Sequence, residues 1–189
     1  EMFLEFIVAP LFEEEAIAVL SKKKNLRVVS IKEQKFFEGL NYKRVAGGLL
    51  VEESDTFLDD RERRVVTKRE PSKEEFEALE LAYSICKHIK SNAIVLCDKN
   101  GTVGIGAGQM SRVDSVKISK MKAYKDTKGC VAASDAFFPF PDGIEELGKA
   151  GVTAVIQPGG SIRDSEVIEA ANEYTLAMVF TGRRHFRHG

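Results

Sequence analysis

The sequence has no long apolar run, few cysteines and almost no net charge. No stretch reaches the roughly 18 apolar residues that a membrane-spanning helix requires, so we expect no membrane association. The net charge of −1, from 28 basic and 29 acidic residues, argues against a broad nucleic-acid-binding surface. The three cysteines, Cys86, Cys97 and Cys130, are odd in number and far apart. They predict reduced, buried thiols in a cytoplasmic protein.

Motifs for metal-dependent and nucleophilic chemistry are also missing. CxxC, HxE and HExxH do not occur, so we expect no zinc and neither zinc hydrolysis nor zinc-dependent deamination. No serine nucleophile elbow is present, and no Cys–His pair has a useful spacing. Gly104, Gly106 and Gly108 alternate, which matches neither the dinucleotide fingerprint GxGxxG nor a Walker A loop. A tight exit from a hairpin explains these glycines equally well.

What is present fits an α/β protein. The 189 residues are 43% hydrophobic and 30% charged, as in an ordinary globular domain. Apolar periodicity predicts strands at Leu4–Ala9, Arg27–Ile31, Gly47–Val51, Ala93–Cys97, Thr102–Ala107, Val152–Ile156 and Ala177–Phe180. It predicts helices at Glu13–Lys24, Ser72–Lys90, Arg112–Lys122, Gly143–Ala150 and Ser161–Ala171. This alternation indicates a three-layer αβα sandwich with a mixed, largely parallel sheet.

Two features of the first half carry separate expectations. Glu13–Glu15 and Lys22–Lys24 would fall in the first and last turns of one helix, where their charges suit the helix dipole. The charged segment 53–70 is expected to be a flexible excursion. The chain does not open with Met and its first residues already resemble a strand, so we expect a piece of a longer protein.

Three segments share the layout of a strand, a turn containing Gly or Pro, and a capped helix. They are Ile105–Arg112, Ser134–Asp142 and Gln157–Asp164. In an open α/β sheet such turns gather at the carboxyl ends of the strands, where ligands bind. Ser111 beside Arg112 predicts an anion clamp at a helix N-terminus. Ser161 with Asp164 reads as a capping box, for which a purely structural role is the simpler interpretation.

The most unusual of these segments is Ser134–Asp142, which holds three phenylalanines within four residues and two prolines. The prolines exclude a helix interior and favour a rigid bent loop. Asp142 would be the N-cap of the next helix. The rings could form a platform for a flat ligand, although three buried core residues are the simpler explanation.

Polar side chains at two other places could reach the same edge of the sheet. Asn92 stands directly before a predicted strand, so its amide could lie at the mouth of the sheet. The tail 181–188 carries three Arg and two His around Phe186, directly after a buried strand. A disordered basic tail is one interpretation. Delivery of Arg184 to a phosphate and of Phe186 to a ring is the other.

These residues together resemble a known family. The chain is similar to the carboxyl-terminal part of the bifunctional purine-biosynthesis proteins, which join aminoimidazole carboxamide ribonucleotide (AICAR) transformylase to inosine monophosphate (IMP) cyclohydrolase. The likeness covers about the whole chain, and the matching segments keep the family's order. They are residues 90–95, 104–112, 134–140, 155–164 and 184–188.

The resemblance implies a fold, an activity and an assembly. Residues 1–189 would be the second transformylase subdomain, with a cytidine-deaminase-like fold that lacks zinc. The first transformylase subdomain and the cyclohydrolase domain would be absent from this chain. The reaction would transfer a formyl group from the co-substrate 10-formyltetrahydrofolate to AICAR during IMP biosynthesis. A homodimer with shared active sites would carry it out.

Carried over position by position, the resemblance also implies roles for individual residues. The residues expected to contact the AICAR nucleotide are Asn92, Arg112, Phe137 and Arg184. Those on the folate side are Val113, Asp142, Ser161 and Ile162. Phe186 and His188 match the family's last Phe and His, which lie near the active site; Phe186 would also bind the substrate, and His188 would be an accessory catalytic group. A monovalent cation, potassium in kind, would lie near Ser91, Asp135 and His188.

One departure from the family pattern leaves two interpretations open. The family's catalytic Lys-His pair belongs to a loop of the first subdomain, and no such loop occurs here. Lys87-His88 has the same letters but precedes Ser91-Asn92, so we do not transfer the role to it. The chain could therefore be part of the enzyme, or a nucleotide- or folate-binding module that is not catalytic alone. A nucleic-acid binder is disfavoured by the charge balance.

Overall fold

The computed structural model describes residues 3–31, 39–55 and 63–188. Chain length alone predicts one domain, whereas the chain divides into two compact units, residues 1–58 and 59–189. Each unit is described by itself. None of the described helices is long and apolar enough to cross a membrane.

The first unit contains a βαβ motif and a hairpin. Its elements are β1 (Phe6–Ala9), α1 (Glu14–Leu20), β2 (Arg27–Ser30), β3 (Leu40–Val45) and β4 (Gly48–Glu53). The strands β1 and β2 pair in parallel, and β3 and β4 pair antiparallel. Sequence reasoning missed β3. Gly47, in the turn between β3 and β4, has a φ of +81°, a conformation that glycine adopts without strain.

The helix α1 is shorter than predicted. It ends at Leu20, where the Ser21 N–H donates to the carbonyl of Ile17 at 2.9 Å and the Lys22 N–H to the carbonyl of Val19 at 3.4 Å. The lysines at 22–24 therefore lie beyond the last turn, so the predicted pairing of these lysines with the helix dipole is wrong. The acidic half of the prediction is confirmed, because Glu14 and Glu15 occupy the first turn.

The second unit is built around a six-stranded sheet. Its elements are β5 (Arg64–Val65), α2 (Lys73–Cys86), β6 (Ile94–Asp98), β7 (Gly101–Gly106), α3 (Arg112–Met121), β8 (Val131–Ser134), α4 (Asp142–Lys149), β9 (Ala154–Gln157), α5 (Asp164–Glu173) and β10 (Ala177–Phe180). The strand order is β5-β10-β9-β8-β6-β7. The predicted α/β class and mixed sheet are confirmed.

The expectation of a largely parallel sheet is wrong. Only the β10–β9 and β9–β8 pairs are parallel. The pairs β10–β5, β8–β6 and β6–β7 are antiparallel. The reason is that β6 and β7 form a direct hairpin, whereas parallel neighbours require a crossover connection such as a helix.

Helices cover both faces of this sheet, as the three-layer prediction requires. Alternate residues of each strand point to opposite faces. Ile94 and Leu96 join a core with residues of α3, α4 and α5. Val95 and Cys97 join a second core with Leu79, Ala82 and other residues of α2.

The alternating glycines of β7 allow α3 to pack unusually close to the sheet. A Cβ atom built on Gly104 would lie 2.1 Å from the carbonyl oxygen of Ser119. On Gly106 it would lie 1.9 Å from the carbonyl oxygen of Ser115. The buried face of α3 consists of Arg112, Ser115, Val116 and Ser119. Of the three residues that periodicity predicts for this face, Val116 is buried, whereas Val113 and Ile118 are only partly buried. Close packing, rather than a hairpin exit, explains these glycines.

Three helix ends differ from prediction. The helix α2 keeps its predicted start, where Ser72 and Glu75 form a capping box, but ends at Cys86 rather than Lys90. Asp142 is not an N-cap: α4 begins at Asp142 after Pro141. Ser161 does not cap α5, which begins at Asp164. Instead, the Asp164 carboxylate accepts hydrogen bonds from the backbone of Gly160 and Ser161 at 2.7 and 3.1 Å.

The charged segment 53–70 is only partly described. Residues 56–62 lie outside the described residues. The rest of its second half is fixed to the sheet, because the Val66 N–H donates to the carbonyl of Met178 at 3.0 Å. The Lys68 N–H donates to the side chain of Asn172 at 2.8 Å. Residues 63–70 are therefore not the flexible excursion that we expected.

We expect Gly106→Ala to destabilise the second unit by at least about 3 kcal/mol, because the new methyl group must displace the backbone of α3. Urea unfolding followed by circular dichroism measures this loss. Gly48→Ala is the matched control, since no atom lies within 4 Å of its added Cβ. Equal losses for the two variants would contradict the close-packing explanation.

Candidate functional site

The topology gathers the predicted turns at one edge of the six-stranded sheet. Since β6 is antiparallel to both β7 and β8, the start of β6 meets the carboxyl ends of β7 and β8. The carboxyl ends of β9 and β10 lie at the same edge. A cleft of about 430 Å³ opens there. Its lining residues are Asn92, Met110, Ser111, Arg112, Val113, Ala136, Phe137, Pro139, Phe140, Asp142 and Phe186.

Asn92 is fixed at the mouth of the sheet, as the sequence predicted. It follows a cis peptide bond after Ser91. Its backbone N–H and its side-chain amide donate to the carbonyl of Gln109 at 3.2 and 2.9 Å. Its own carbonyl accepts from the hydroxyl of Ser115 at 2.8 Å. The start of β6 is thereby joined to the turn before α3.

Arg112 lies in the floor of the cleft and is almost completely buried. Its guanidinium donates to Asp135 Oδ1 at 2.9 Å, to Asn92 Oδ1 at 3.1 Å and to the carbonyl of Ala136 at 3.3 Å. Burial lowers the pKa of Arg112 from its ordinary value, and the charge of Asp135 opposes that shift. Three of the five guanidinium N–H groups are thus bonded, and the other two have no hydrogen-bond partner within residues 3–31, 39–55 and 63–188.

The predicted anion clamp of Ser111 and Arg112 does not form. The Ser111 hydroxyl donates to the Asp114 carboxylate at 2.6 Å and accepts from the Asp114 N–H at 3.2 Å. Ser111 is thus the N-cap of α3, and a carboxylate already occupies the helix N-terminus. The guanidinium of Arg112 turns inward to Asp135 instead.

Asp135 is the buried partner that sequence reasoning did not connect to Arg112. Its exposure is 0%, and its Oδ2 has no hydrogen-bond partner among residues 3–31, 39–55 and 63–188. The Asp135 carbonyl accepts from the His185 N–H at 2.8 Å. A carboxyl group placed directly after the buried strand β8 was the available signal, because buried charges require partners.

The three phenylalanines of the aromatic loop have different surroundings. Phe138 is 1% exposed and packs in the core, against Gly143. Phe137 lines the cleft, and the guanidinium of Arg184 lies 4.6 Å from the centre of its ring. Phe140, half exposed on the rim, lies under the guanidinium of Arg163 at 5.0 Å. The core interpretation is therefore correct for Phe138, whereas Phe137 and Phe140 line the cleft, where the platform for a flat ligand stays a prediction.

The tail is ordered against this edge, so the interpretation as a disordered extension is wrong. The Thr181 N–H donates to the carbonyl of Gln157, the last residue of β9, at 3.0 Å, and the Gly182 N–H donates to the carbonyl of Pro158 at 2.9 Å. Ser91 and Arg187 exchange two hydrogen bonds, at 2.9 and 3.0 Å. Phe186 lines the cleft and stacks on His188 with ring centres 5.6 Å apart.

The residues predicted for the folate side separate into two groups. Val113 and Asp142 line the cleft. Ser161 and Ile162 do not, and Ile162 is 100% exposed. Met110, 97% exposed on the opposite rim, was not predicted from the sequence. It is an exposed apolar side chain in a turn, which periodicity cannot distinguish from core.

A second cleft of about 490 Å³ lies at the other edge of the sheet, between the start of α2 and the turn after β6. Its charged side chains have both signs, and Asp98 is paired with Lys125. No cluster of three or more His, Cys, Asp or Glu residues suited to a metal ion occurs in the described ranges. The first cleft, with its buried polar floor, is the better candidate site.

Comparison with known proteins identifies the family. The family model for the AICARFT/IMPCHase bienzyme matches residues 1–122. The chain belongs to this family. The resemblance of the sequence is thereby confirmed at the family level.

Relatives extend well beyond the region matched by this chain. The bifunctional purine biosynthesis protein PurH of Bacillus mycoides is 53% identical over 190 residues, and that of Persephonella marina is 54% identical over 193 residues. Each comparison covers 100% of this chain and 37% of the relative. The chain therefore spans little more than a third of these curated relatives, so the activity of the whole protein does not transfer by identity alone.

A comparison with solved structures gives a diaminohydroxyphosphoribosylaminopyrimidine deaminase/5-amino-6-(5-phosphoribosylamino)uracil reductase from Thermotoga maritima. The match has a TM-score of 0.37 and 13% identity, and covers 56% of this chain and 34% of that one. A similarity this weak supports no conclusion about the fold or the function of this chain. The cytidine-deaminase-like fold stays a prediction.

We expect Arg112→Met to lower the free energy of unfolding by about 3–5 kcal/mol, because it leaves the Asp135 carboxylate buried without its counter-ion. Adding Asp135→Leu should recover much of that loss, since the buried charge is then removed. Arg163→Met is the control, because its pair with Glu166 is exposed and worth little. A double variant as unstable as Arg112→Met alone would contradict the ion pair's role.

Proposed function

We propose that this chain is the second transformylase subdomain of a purine-biosynthesis formyltransferase. In this proposal it binds AICAR and part of 10-formyltetrahydrofolate in the cleft. The observation that carries the proposal is the convergence of Asn92, Arg112, Phe137 and Arg184 at one edge of the sheet. These residues come from four separate parts of the chain.

The chemistry of the cleft suits a purine-precursor nucleotide. Arg184 is exposed and carries an always-ionised planar guanidinium, which pairs well with a phosphate. Phe137 offers its ring for stacking on an imidazole. The two remaining N–H groups of Arg112 and the side-chain oxygen of Asn92 are suited to the carboxamide, since the Asn92 amide nitrogen already donates to the carbonyls of Gln109 and Met110.

The folate would occupy the rim on the side of α4. Val113 and Asp142 line the cleft there, and the half-exposed ring of Phe140 adds apolar surface for a pterin. Ser161 and Ile162 would join this side through the loop that carries Arg163, whose guanidinium covers Phe140. A bound folate would cover Val113 and Phe140, which otherwise leave apolar surface exposed on this rim of the cleft.

Formyl transfer forms a bond from the AICAR 5-amino nitrogen to the formyl carbon and breaks the bond from that carbon to N10 of the folate. The proton lost by the amine is returned to N10. A positioned base must assist the weakly nucleophilic amine. Among the described residues that line the cleft, Arg112 and Asp142 are the charged side chains, and neither histidine nor lysine is present.

This composition also supports the alternative, a nucleotide- or folate-binding module that is inactive alone. In the enzyme, the Lys-His pair of the first subdomain would supply the base, and His188 would assist from its stack on Phe186. Turnover by the isolated chain at the rate of the full-length protein would exclude the alternative. The enzyme would act as a cytoplasmic homodimer with sites shared between subunits.

A monovalent cation, namely potassium, would fit beside Asp135. Its Oδ2 is buried without a protein partner in the described chain, and a bound cation would satisfy that oxygen. Ser91 and the backbone near His188 would provide further oxygen atoms, since Ser91 already holds the end of the tail. The cation would stabilise the floor of the site and the tail, and no step of the transfer passes through it.

We expect Arg184→Ala to weaken AICAR binding by about 10- to 100-fold, because a charge-assisted contact with the phosphate is lost. Isothermal titration calorimetry with the 189-residue chain measures this. Arg187→Ala is the matched control, since it removes the same charge from the same tail, and its side chain does not line the cleft. Equal effects of the two substitutions, or no affinity in the unaltered chain, would contradict the proposed nucleotide site.

We expect potassium chloride to raise the melting temperature by about 2–4 °C over choline chloride at equal ionic strength, which corresponds to about 1 kcal/mol. Asp135→Asn should abolish this difference, because the carboxylate is the charged ligand. Differential scanning calorimetry provides the measurement. A potassium effect that persists in Asp135→Asn would place the cation elsewhere.

A further inference from the structure

The tail that carries Arg184 has no regular secondary structure, yet its backbone is held at several points. The Thr181 N–H donates to the carbonyl of Gln157 at 3.0 Å, which continues the pairing of β10 with β9. The His185 N–H donates to the carbonyl of Asp135 at 2.8 Å. Beyond it, Ser91 and Arg187 exchange two hydrogen bonds. The position of Arg184 therefore depends on the anchors on either side of it.

The anchor directly before Arg184 is the side chain of Tyr83, on α2. Its hydroxyl oxygen lies 2.5 Å from the carbonyl oxygen of Arg183 and 2.8 Å from Oγ1 of Thr181. A carbonyl only accepts, so the Tyr83 hydroxyl donates to Arg183. The Thr181 hydroxyl donates to the same carbonyl at 3.2 Å. The Arg183 N–H donates to Thr181 Oγ1 at 3.3 Å. These bonds orient the peptide group that leads into Arg184.

The geometry fixes Arg184 between two held peptide groups. The Arg183 carbonyl is held by Tyr83, and the His185 N–H is held by the carbonyl of Asp135. Asp135 stands only two positions before Phe137, the ring over which the Arg184 guanidinium lies at 4.6 Å. The positions of Arg184 and of the Phe137 ring are thus both set by the backbone at residues 135–137.

We infer that Tyr83, on α2, is a positioning residue for Arg184 and acts through its hydrogen bond to the carbonyl of Arg183. This inference rests on the proposed nucleotide-binding role of Arg184. Tyr83 is 3% exposed and does not line the cleft, so it acts on the ligand only through the tail.

The surroundings of Tyr83 allow the hydroxyl to be tested separately from the ring. The ring packs edge-on against the His185 ring with centres 4.9 Å apart. The guanidinium of Arg63, which is bonded to Glu80 at 2.6 Å, lies 5.4 Å from its centre on another side. Tyr83→Phe keeps these ring contacts and removes the hydroxyl with its bonds to Arg183 and Thr181, so the substitution should preserve the fold.

We expect Tyr83→Phe to weaken AICAR binding by about 10-fold, measured by calorimetry on the 189-residue chain. In the Arg184→Ala background the same substitution should change the affinity little, because the residue it positions is already gone. Tyr124→Phe is the matched control, since Tyr124 is 72% exposed. Additive effects of Tyr83→Phe and Arg184→Ala would overturn the inference.

A second readout does not depend on AICAR. Nuclear Overhauser contacts between the Arg184 side chain and the Phe137 ring should be lost in Tyr83→Phe and kept in Tyr124→Phe. Their persistence in Tyr83→Phe would overturn the inference. Their loss in a chain that binds no AICAR would support the positioning and remove the proposed function. Thr181→Val, which removes the second hydroxyl of the cluster, should act in the same direction if Tyr83→Phe does not fold.

Discussion

The buried ion pair of Arg112 and Asp135 joins the three segments that form the floor of the cleft. Arg112 opens α3, Asp135 follows β8, and Asn92 stands before β6. Removing two charges from water is costly, and only close geometry with additional hydrogen bonds repays it. The carbonyl of Ala136 and the amide of Asn92 provide those bonds. Stability of this edge and preorganisation of the site therefore depend on the same contacts.

The close approach of α3 to β7 determines where this ion pair lies. Without side chains at Gly104 and Gly106, the backbone of the helix sits directly on the strand. Larger side chains on β7 would push Arg112 away from Asp135. The Asp135 carboxylate, whose Oδ2 already lacks a partner in the described chain, would then lose its buried counter-ion as well. A packing feature of the core thus has a consequence for the chemistry at the sheet edge.

The last residues of the chain complete the site by a different physical means. They belong to no helix or strand themselves, and they are held by hydrogen bonds to distant parts of the chain, among them Gln157 of β9 and Tyr83 of α2. Arg184 and Phe186 reach the cleft for this reason. By length, the chain spans 37% of the curated relative from Bacillus mycoides.

The sequence by itself determined the alternation of strands and helices, the helix start at Ser72 and the N-cap at Ser111, because periodicity and capping are local effects. It also named Asn92 and Arg184 as residues of one edge. Tertiary structure alone decided that Arg112 turns inward to Asp135 rather than outward to an anion, and which phenylalanine of the loop is core. Those outcomes depend on burial and on contacts between residues far apart in the chain, which no local pattern encodes.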